Sequence, residues 1–173
     1  MKSNTGLMGA ERKLGSDQKP QEEEYRIVDT GLYLGMLTGL VAEGKDVPLV
    51  VTGGSMTPFM IHRRDSVLLS PIAGRKLRRG DIVLYLRDNG RYVMHRIVRV
   101  CRDGTYVLCG DAQTETEPGI RRDQILARAA SVRRKGKVKR PGCFYWFFFA
   151  QIWSRLIPVR RLLFKAYDII KRK

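Results

Sequence analysis

The sequence predicts a mainly β protein: a compact, barrel-like antiparallel sheet with a helix before it and an amphipathic helix after it. Three observations lead to this prediction: short β-rich runs between turn signals over residues 47–137, helix-spaced apolar residues ahead of them, and a basic tail with helical apolar spacing. The length of 173 residues is enough for one domain with its own core. An apolar fraction of 43% is ordinary for a globular protein and excludes a largely disordered chain.

Two segments precede the predicted sheet. Residues 1–24 are polar and contain no apolar run, so we predict a flexible arm and not a signal peptide. In residues 25–46, apolar residues recur near helical spacing at Ile27, Leu34, Leu37 and Val41. Three glycines lower the helix propensity of this segment. We nevertheless predict a helix packed on the body, because Asp29 and the short apolar length argue against a membrane span.

Residues 47–137 contain the candidate strands. Six β-rich runs lie here between turn residues: VPLVVTG, DSVLLSPI, GDIVLYLR, RYVMHRIVRVC, GTYVLCGD and QILARAASVRRK. Asn89-Gly90 is a strong signal for a hairpin turn between the third and fourth runs, and RDGT at residues 102–105 is a second signal between the fourth and fifth. We therefore expect these runs to pair as antiparallel hairpins.

The basic charge of the protein is concentrated in its tail. The formal net charge is +16, of which residues 133–173 contribute +12. Residues 138–173 begin as a basic linker and continue into the aromatic run FYWFFF at residues 144–149. Beyond it, apolar residues recur at steps of three and four, as expected for an amphipathic helix: Ile152, Leu156, Val159, Leu163, Ala166 and Ile170.

This tail predicts a helix that lies in the plane of a membrane interface. Its apolar run is about half of the ~20 residues that a membrane-spanning helix needs, while a continuous aromatic run is too apolar to remain in water. A basic amphipathic helix with aromatic residues at one end suits a membrane surface with anionic lipids. The alternative is a helix docked on the domain's own surface or on a protein partner. Nucleic acid is the less favoured partner, because phosphate binding requires Lys and Arg but no aromatic wedge.

The cysteines favour a reducing compartment. Cys101, Cys109 and Cys143 cannot all pair with one another, and they lack the CxxC spacing of a zinc site. We predict no disulfide framework and no metal or organic cofactor. Together with the tail, this favours a peripheral membrane protein on the cytoplasmic face, with the extracytoplasmic face as the alternative.

The stretch VVTGGSMTPFM, residues 50–60, contains a candidate nucleophile. Two glycines and Ser55 directly follow an apolar run. Glycine, serine, threonine and proline are the ordinary residues of a strand end, so this stretch is either plain turn chemistry or a corner that presents Ser55 to a substrate. The second interpretation requires a base elsewhere in the chain.

The candidate base is one of two histidines. His62 follows Ser55 in a polar turn. His95 lies inside a predicted strand, on the face that also carries valine and isoleucine, so it is either a core residue or a positioned base. Asp111 ends the strand YVLCGD, as a turn cap or as a partner for the base.

Four motifs in order resemble those of type I signal peptidases: GGSMTP, RRGDIVLYLR, VMHRIV and LCGDAQ, within residues 47–134. Because a histidine stands where the bacterial branch has a lysine, the chain is similar to the Ser-His branch of archaeal and endoplasmic-reticulum enzymes. The resemblance implies Ser55 as the nucleophile, His95 as the general base and Asp111 as the partner of the histidine, with Asp123 as the alternative third residue. It also implies a signal peptidase-type catalytic domain over residues 47–137.

The resemblance implies further site residues around Ser55. Gly53 and Gly54 let the backbone turn so that the Ser55 N–H can bind an oxyanion, and Met56 forms a wall of the site. Many relatives carry a serine two positions before the nucleophile, where this chain has Gly53. Either Thr52 replaces that serine or the oxyanion is bound by backbone donors alone. The closing box GDAQTETEPG departs from the paired asparagines and further aspartate of the eukaryotic branch. The acids that could replace that aspartate are Glu115, Glu117 and Asp123.

These residues predict a serine endopeptidase of the signal peptidase type. Its substrates would be extended segments of precursor proteins, with small side chains near the scissile bond, cleaved at or near a membrane. The alternative from another class is a catalytically silent peptidase-like module that binds a peptide or a protein partner at the membrane. A nucleic-acid-binding domain is a third, less favoured interpretation.

Overall fold

The computed structural model describes residues 30–171, with side chains from residue 31 to residue 165. Within these residues, eight antiparallel strands form one sheet: β1 (Val47–Val50), β2 (Ser66–Ser70), β3 (Ile82–Leu86), β4 (Tyr92–Val100), β5 (Tyr106–Cys109), β6 (Glu117–Ile120), β7 (Ile125–Arg134) and β8 (Lys137–Lys139). The order is β1-β2-β7-β3-β4-β5-β6, and β8 pairs with β7. The mainly β prediction is confirmed. The barrel-like prediction is corrected, because the sheet is open, with β1 and β6 at its two ends.

Each of the six predicted runs contains one strand, and two further strands come from segments without a β pattern. Strand β6 has the sequence EPGI. Proline and glycine are uncommon inside strands, so this sequence gives no signal for one. Strand β8 lies in the segment that we predicted as a basic linker, and its Lys137 pairs with Arg134 of β7 across a tight hairpin. The linker prediction is therefore corrected, since Lys137–Lys139 belong to the sheet.

The sheet carries a hydrophobic core on each face, because successive side chains of a strand point to opposite sides. In β3, Ile82 and Leu84 belong to one core, and Val83 and Tyr85 belong to the other. The first core also receives the helices, whereas the second is closed by β5 and β6. Neighbouring residues of one strand can therefore take part in different networks.

Helix α1 spans Thr30–Ala42 and packs on the first core. Its buried residues are Leu37 and Val41, as the sequence predicts. Gly35 faces β4 at close range, since a Cβ at this position would lie 3.3 Å from the hydroxyl oxygen of Tyr92. The predicted arm, residues 1–24, and the first part of the predicted helix, residues 25–29, lie outside the described residues.

The tail is helical over most of residues 144–171. Helix α2 (Phe144–Phe147) continues through a π-helical turn (Phe148–Ile152) and a 3₁₀ turn (Trp153–Arg155) into helix α3 (Ile157–Lys171). Over residues 30–171, every helix is too short or too polar to cross a membrane.

The aromatic residues of the tail complete the first core. Trp146 and Phe149 are buried, and the centroid of each ring lies 5.2 Å from that of Phe59. Tyr145 stacks on Phe59 at 5.1 Å. The boundary that we predicted after residue 137 therefore does not separate two bodies, and this part of the tail docks on its own domain.

Part of the tail remains exposed. Phe144 is 79% exposed and Phe147 is 53% exposed. Within the predicted apolar stripe, Val159 and Leu163 are also exposed. Ala166 and Ile170 lie outside the described side chains. One side of the tail is thus core, and the other side presents apolar residues outwards.

Candidate active site

Ser55 lies on a tight backbone turn that follows β1. Gly53 has a φ of 85°, a left-handed conformation in which any residue with a side chain is strained. The Gly53 N–H donates a hydrogen bond to Nδ1 of His62 at 2.9 Å, and the Thr57 N–H donates one to the Gly54 carbonyl at 3.0 Å. Glycine at position 53 is therefore required by the backbone of this corner.

A second segment, the closing turn (residues 110–113), holds the Ser55 corner from the other side. The Ala112 N–H donates a hydrogen bond to the Ser55 carbonyl at 2.8 Å. Gly110 packs so closely that a Cβ there would lie 2.5 Å from the same carbonyl oxygen. The position of Ser55 thus depends on glycine at 110 and on the conformation of the closing turn.

Ser55 and His95 lie on the walls of one cleft with a volume of about 280 Å³. The cleft is lined by Val51, Thr52, Gly53, Ser55, Met56, Arg87, Tyr92, Val93, Met94, His95 and Gln113. Among the described residues, no hydrogen bond joins the Ser55 hydroxyl to His95. Catalytic hydrogen bonds are often long or poorly aligned before substrate binds. The structure therefore brings the predicted nucleophile and the predicted base to the same cleft.

Two oxygens fix the orientation of the His95 ring. Nδ1 lies 3.1 Å from Oε1 of Glu117 and 3.2 Å from the hydroxyl oxygen of Tyr85. The Tyr85 hydroxyl donates its own hydrogen to Oε2 of Glu117 at 2.8 Å, so both neighbours of Nδ1 act as acceptors. The proton of a neutral imidazole then resides on Nδ1, and Nε2 keeps the lone pair that a general base needs.

Charges around His95 set the protonation of this network. Burial lowers the pKa of His95 below its usual value, although the Glu117 carboxylate acts to raise it. Desolvation acts to raise the pKa of Glu117, but hydrogen bonds from Arg87 and Tyr85 outweigh it and bring that pKa below its usual value. Burial and the Glu117 carboxylate raise the pKa of Tyr85 well above its usual range. At neutral pH, a neutral imidazole therefore faces an ionised Glu117 and a protonated Tyr85.

Arg87 holds the Glu117 carboxylate in place with two nitrogens. Its Nε donates to Oε2 at 2.8 Å, and its Nη2 donates to Oε1. Such a paired contact fixes both the position and the plane of a carboxylate. Glu117 is therefore oriented by Arg87 and in turn orients His95.

Asp111, which we predicted as the partner of His95, is paired with Arg96 instead. Its Oδ1 and Oδ2 accept hydrogen bonds from Nε and Nη2 of Arg96 at 3.0 and 2.7 Å, and both side chains are buried. His95 and Arg96 are consecutive in β4, so their side chains point to opposite faces of the sheet. Asp111 meets the arginine on one face, and Glu117 meets the histidine on the other. The carboxylate at the imidazole is thus Glu117 and not Asp111.

The other predicted site residues are divided between the cleft and the surface. Thr52 and Met56 line the cleft, and Gly54 forms the turn before Ser55. Asp123, the alternative third residue, is exposed and pairs with Arg121 at 3.4 Å. Within residues 30–171, the Ser55 N–H makes no hydrogen bond, so it can still bind an oxyanion.

A second cavity of about 480 Å³ adjoins the cleft. It is lined by Arg87 and by every residue from Ala112 to Glu117, including Glu115. Arg87 and Gln113 line both the cavity and the cleft, so the two spaces are continuous along the closing turn. The space beside Ser55 therefore continues into this cavity.

Tyr85 and Arg87 were not among the predicted site residues. Tyr85 has only a partial signal in the sequence: Asn89-Gly90 predicts the hairpin. The register that pairs Val83 with His95 and Tyr85 with Val93 depends on a three-residue loop, residues 88–90, and not on a two-residue Asn-Gly turn. Tyr85 is then a diagonal neighbour of His95 on the same face. Arg87 has no such signal, since its role depends on Glu117 from another strand.

The site therefore contains a serine on a tight glycine corner, a buried histidine of defined tautomer and a carboxylate held by an arginine. Comparison of the chain with models of known protein families gave no match. Comparison with curated proteins gave no match either.

Proposed function

We propose that the protein is a serine endopeptidase of the signal peptidase type, with Ser55 as the nucleophile and His95 as the general base. The observation that carries this proposal is that Ser55 shares a cleft with a histidine whose Nδ1 faces a clamped carboxylate. This arrangement supplies a nucleophile, a base and an orienting group for the base, which are the three parts that acyl transfer needs.

In the proposed reaction, the Ser55 oxygen attacks the scissile carbonyl while its proton moves to Nε2 of His95. The imidazolium that forms is stabilised by the Glu117 carboxylate, and the Ser55 N–H and Thr52 stabilise the oxyanion. His95 then donates the proton to the leaving amine, and the C–N bond breaks. A water molecule, deprotonated by His95, hydrolyses the acyl-enzyme and regenerates the Ser55 hydroxyl.

The substrate that fits this cleft is an extended peptide. Strand β1 leads directly to the Ser55 corner. Among residues 30–171 it pairs with β2 alone, so its other edge can accept a peptide strand. The apolar side chains Met56, Tyr92 and Met94 narrow the cleft. We therefore propose that residues with small side chains flank the scissile bond of a precursor protein.

The proposal is tested with the full chain and a pool of unstructured peptides, with cleavage products detected by mass spectrometry. Wild type and the control Ser131→Ala, a half-buried position on β7 outside the cleft, should cleave the same peptides, and Ser55→Ala should cleave none. If all three proteins bind peptides but none cleaves, the catalytically silent module is the correct interpretation.

We also propose that the exposed part of the tail binds an anionic membrane surface. Phe144 and Phe147 are largely exposed beside the basic strand β8, whose Lys139 ammonium lies 6.0 Å from the Tyr145 ring. Exposed aromatic residues next to lysines match the apolar and charged layers of a membrane interface. Peripheral attachment at the cytoplasmic face is part of this proposal.

Sedimentation with anionic vesicles at low and high salt tests the membrane proposal. The double variant Phe144→Ser/Phe147→Ser should bind less without a change in melting temperature, whereas Val100→Ser, an exposed apolar position at the end of β4, should bind like wild type. High salt should weaken binding only in part, because the apolar contribution is not screened. Complete release by salt, with comparable binding to duplex DNA, would point to nucleic acid as the partner.

A further inference from the structure

The tail contacts both backbone segments that hold the Ser55 corner. On the segment that follows Ser55, the carbonyl of Phe59 accepts a hydrogen bond from the Tyr145 hydroxyl at 2.7 Å. On the closing turn, the carbonyl of Asp111 accepts one from Nε1 of Trp153 at 2.7 Å. The tail is therefore joined to the candidate site on two sides.

Arg160 of α3 makes the most extensive of these contacts. Its side chain is 1% exposed. Nη1 donates to the carbonyls of Gly110 at 2.9 Å and Gln113 at 2.8 Å, and Nη2 donates to the Trp153 carbonyl at 2.9 Å. A planar guanidinium can bridge several acceptors in this way, whereas a lysine ammonium presents a single point. One side chain thus joins both ends of the closing turn to the tail.

The opposite side of the closing turn contacts Ser55. The Ala112 N–H binds the Ser55 carbonyl, and Gly110 packs against the same oxygen. A shift of the turn is therefore transmitted directly to the nucleophile. Arg160 does not line the cleft, so its effect on substrate binding should be small.

We propose that Arg160 is a positioning residue for Ser55 and that the tail, from Tyr145 to Arg160, is a structural part of the active site. This rests on the proposed function of Ser55 as a nucleophile. Misplacement of a reacting group by about 1 Å costs about 10²-fold in rate, and Arg160 prevents such a misplacement by holding the closing turn.

Amide hydrogen exchange tests the contact without reference to activity. In Arg160→Met, which keeps most of the aliphatic bulk, the Ala112 amide should exchange faster than in wild type, while the amides of β3 and β4 keep their protection. The matched control is Arg161→Met, an exposed neighbour on the same helix, which should leave the exchange of Ala112 unchanged.

Peptide cleavage tests the consequence for catalysis. In Arg160→Met, kcat should fall by about 10²-fold with a much smaller change in KM, since Gln113 is the closing-turn residue that lines the cleft and the other cleft walls remain in place. Trp153→Phe, which removes one N–H and keeps an aromatic ring, should lower kcat by about threefold to tenfold. Arg161→Met should have the kcat of wild type.

The outcomes separate this inference from the proposed function. If wild type cleaves peptides and Arg160→Met matches Arg161→Met in exchange and in kcat, the positioning role is overturned while the peptidase remains. If no protein cleaves but Ala112 exchanges faster in Arg160→Met, the peptidase proposal fails and the hold of the tail on the corner stands. If Arg160→Met does not fold, unchanged exchange at Ala112 in Trp153→Phe overturns the inference.

Discussion

Two consecutive residues of β4 serve different networks because a strand alternates its side chains. His95 reaches Glu117 on one face of the sheet, and Arg96 reaches Asp111 on the other. The first network contains a titratable group at the cleft, and the second is a buried ion pair. Substitutions in the first should therefore change the reaction, and substitutions in the second should change stability.

His95→Ala should abolish cleavage and leave the fold intact, whereas His62→Ala should retain most of the activity. The base contributes about 10²–10⁴-fold to the rate, and more when it acts as a unit with the nucleophile. His62 accepts one exposed hydrogen bond, from the Gly53 N–H. Cleavage rates and circular dichroism of the two variants test this prediction. Equal rates for both would exclude His95 as the base.

Glu117→Gln should lower the rate and move the acidic limb of the pH profile. Activity requires a neutral imidazole, so the rate falls as the pH drops through the pKa of His95. Burial already lowers this pKa, and the Glu117 charge partly opposes that shift. Removing the charge lowers the pKa further, so the acidic limb of kcat/KM should move to lower pH while the rate at neutral pH falls by about 10²–10⁴-fold. A limb that moves to higher pH would contradict the assignment of Glu117.

Asp111→Asn should act on stability. It leaves the buried charge of Arg96 without its counter-ion, which typically costs about 3–5 kcal/mol. Thermal unfolding should show a clear loss, whereas Asp123→Asn, at an exposed position, should melt like wild type. If Asp111→Asn melts like wild type but loses turnover, Asp111 acts on His95 in the reaction and not on stability.

The Ser55 corner is built from two turns that fit together only with glycine at certain positions. Gly53 supplies the left-handed backbone of the first turn, and Gly110 allows the second turn to approach the Ser55 carbonyl. These two roles differ physically, because the first concerns φ and the second concerns space. The Ser55 corner is therefore formed by contact between two chain segments that are distant in sequence.

Gly110→Ala should displace Ser55 and abolish cleavage. The new Cβ would lie 2.5 Å from a backbone oxygen, which cannot move aside as a flexible side chain can. The matched control is Gly39→Ala on α1, where a Cβ meets nothing within 4 Å and where alanine should stabilise the helix by up to about 1 kcal/mol. Cleavage rates and melting temperatures of both variants test the prediction. Normal turnover in Gly110→Ala would show that the closing turn does not control Ser55.

In the part of the chain that the structure describes, the tail supplies part of the first core and packs with the sheet as one body. Trp146, Phe149 and Ala150 are buried with residues from the sheet and from α1. A truncation after Gly142 should therefore lose the folded state, because removal of one large aromatic residue from a core already costs about 3–5 kcal/mol. Circular dichroism and amide exchange of the truncated chain test this prediction. If the truncated chain is folded and active, the tail is not needed for the fold of the domain and acts only as a membrane anchor.

Local sequence patterns were sufficient to predict most strands of the sheet. Alternation and turn residues predicted six strands, and Asn89-Gly90 predicted the hairpin that places Tyr85 near His95. The Ser55 corner and the face of β4 that carries His95 also follow from the sequence. These features were predictable because turn geometry and side-chain direction depend on a few adjacent residues.

The partner of His95, the place of Asp111 and the docking of the tail were decided only by the tertiary structure. Glu117 reaches the histidine through the pairing of β4 with β5 and of β5 with β6, and both pairings contain a shift in register. Such shifts change which side chain reaches a neighbour and have no local signature. The sequence of the aromatic run is equally compatible with burial in a membrane and with packing on Phe59. The hydrophobic effect is non-directional, so an apolar sequence does not specify which surface covers it. Contacts between distant segments depend on the packing of the whole sheet.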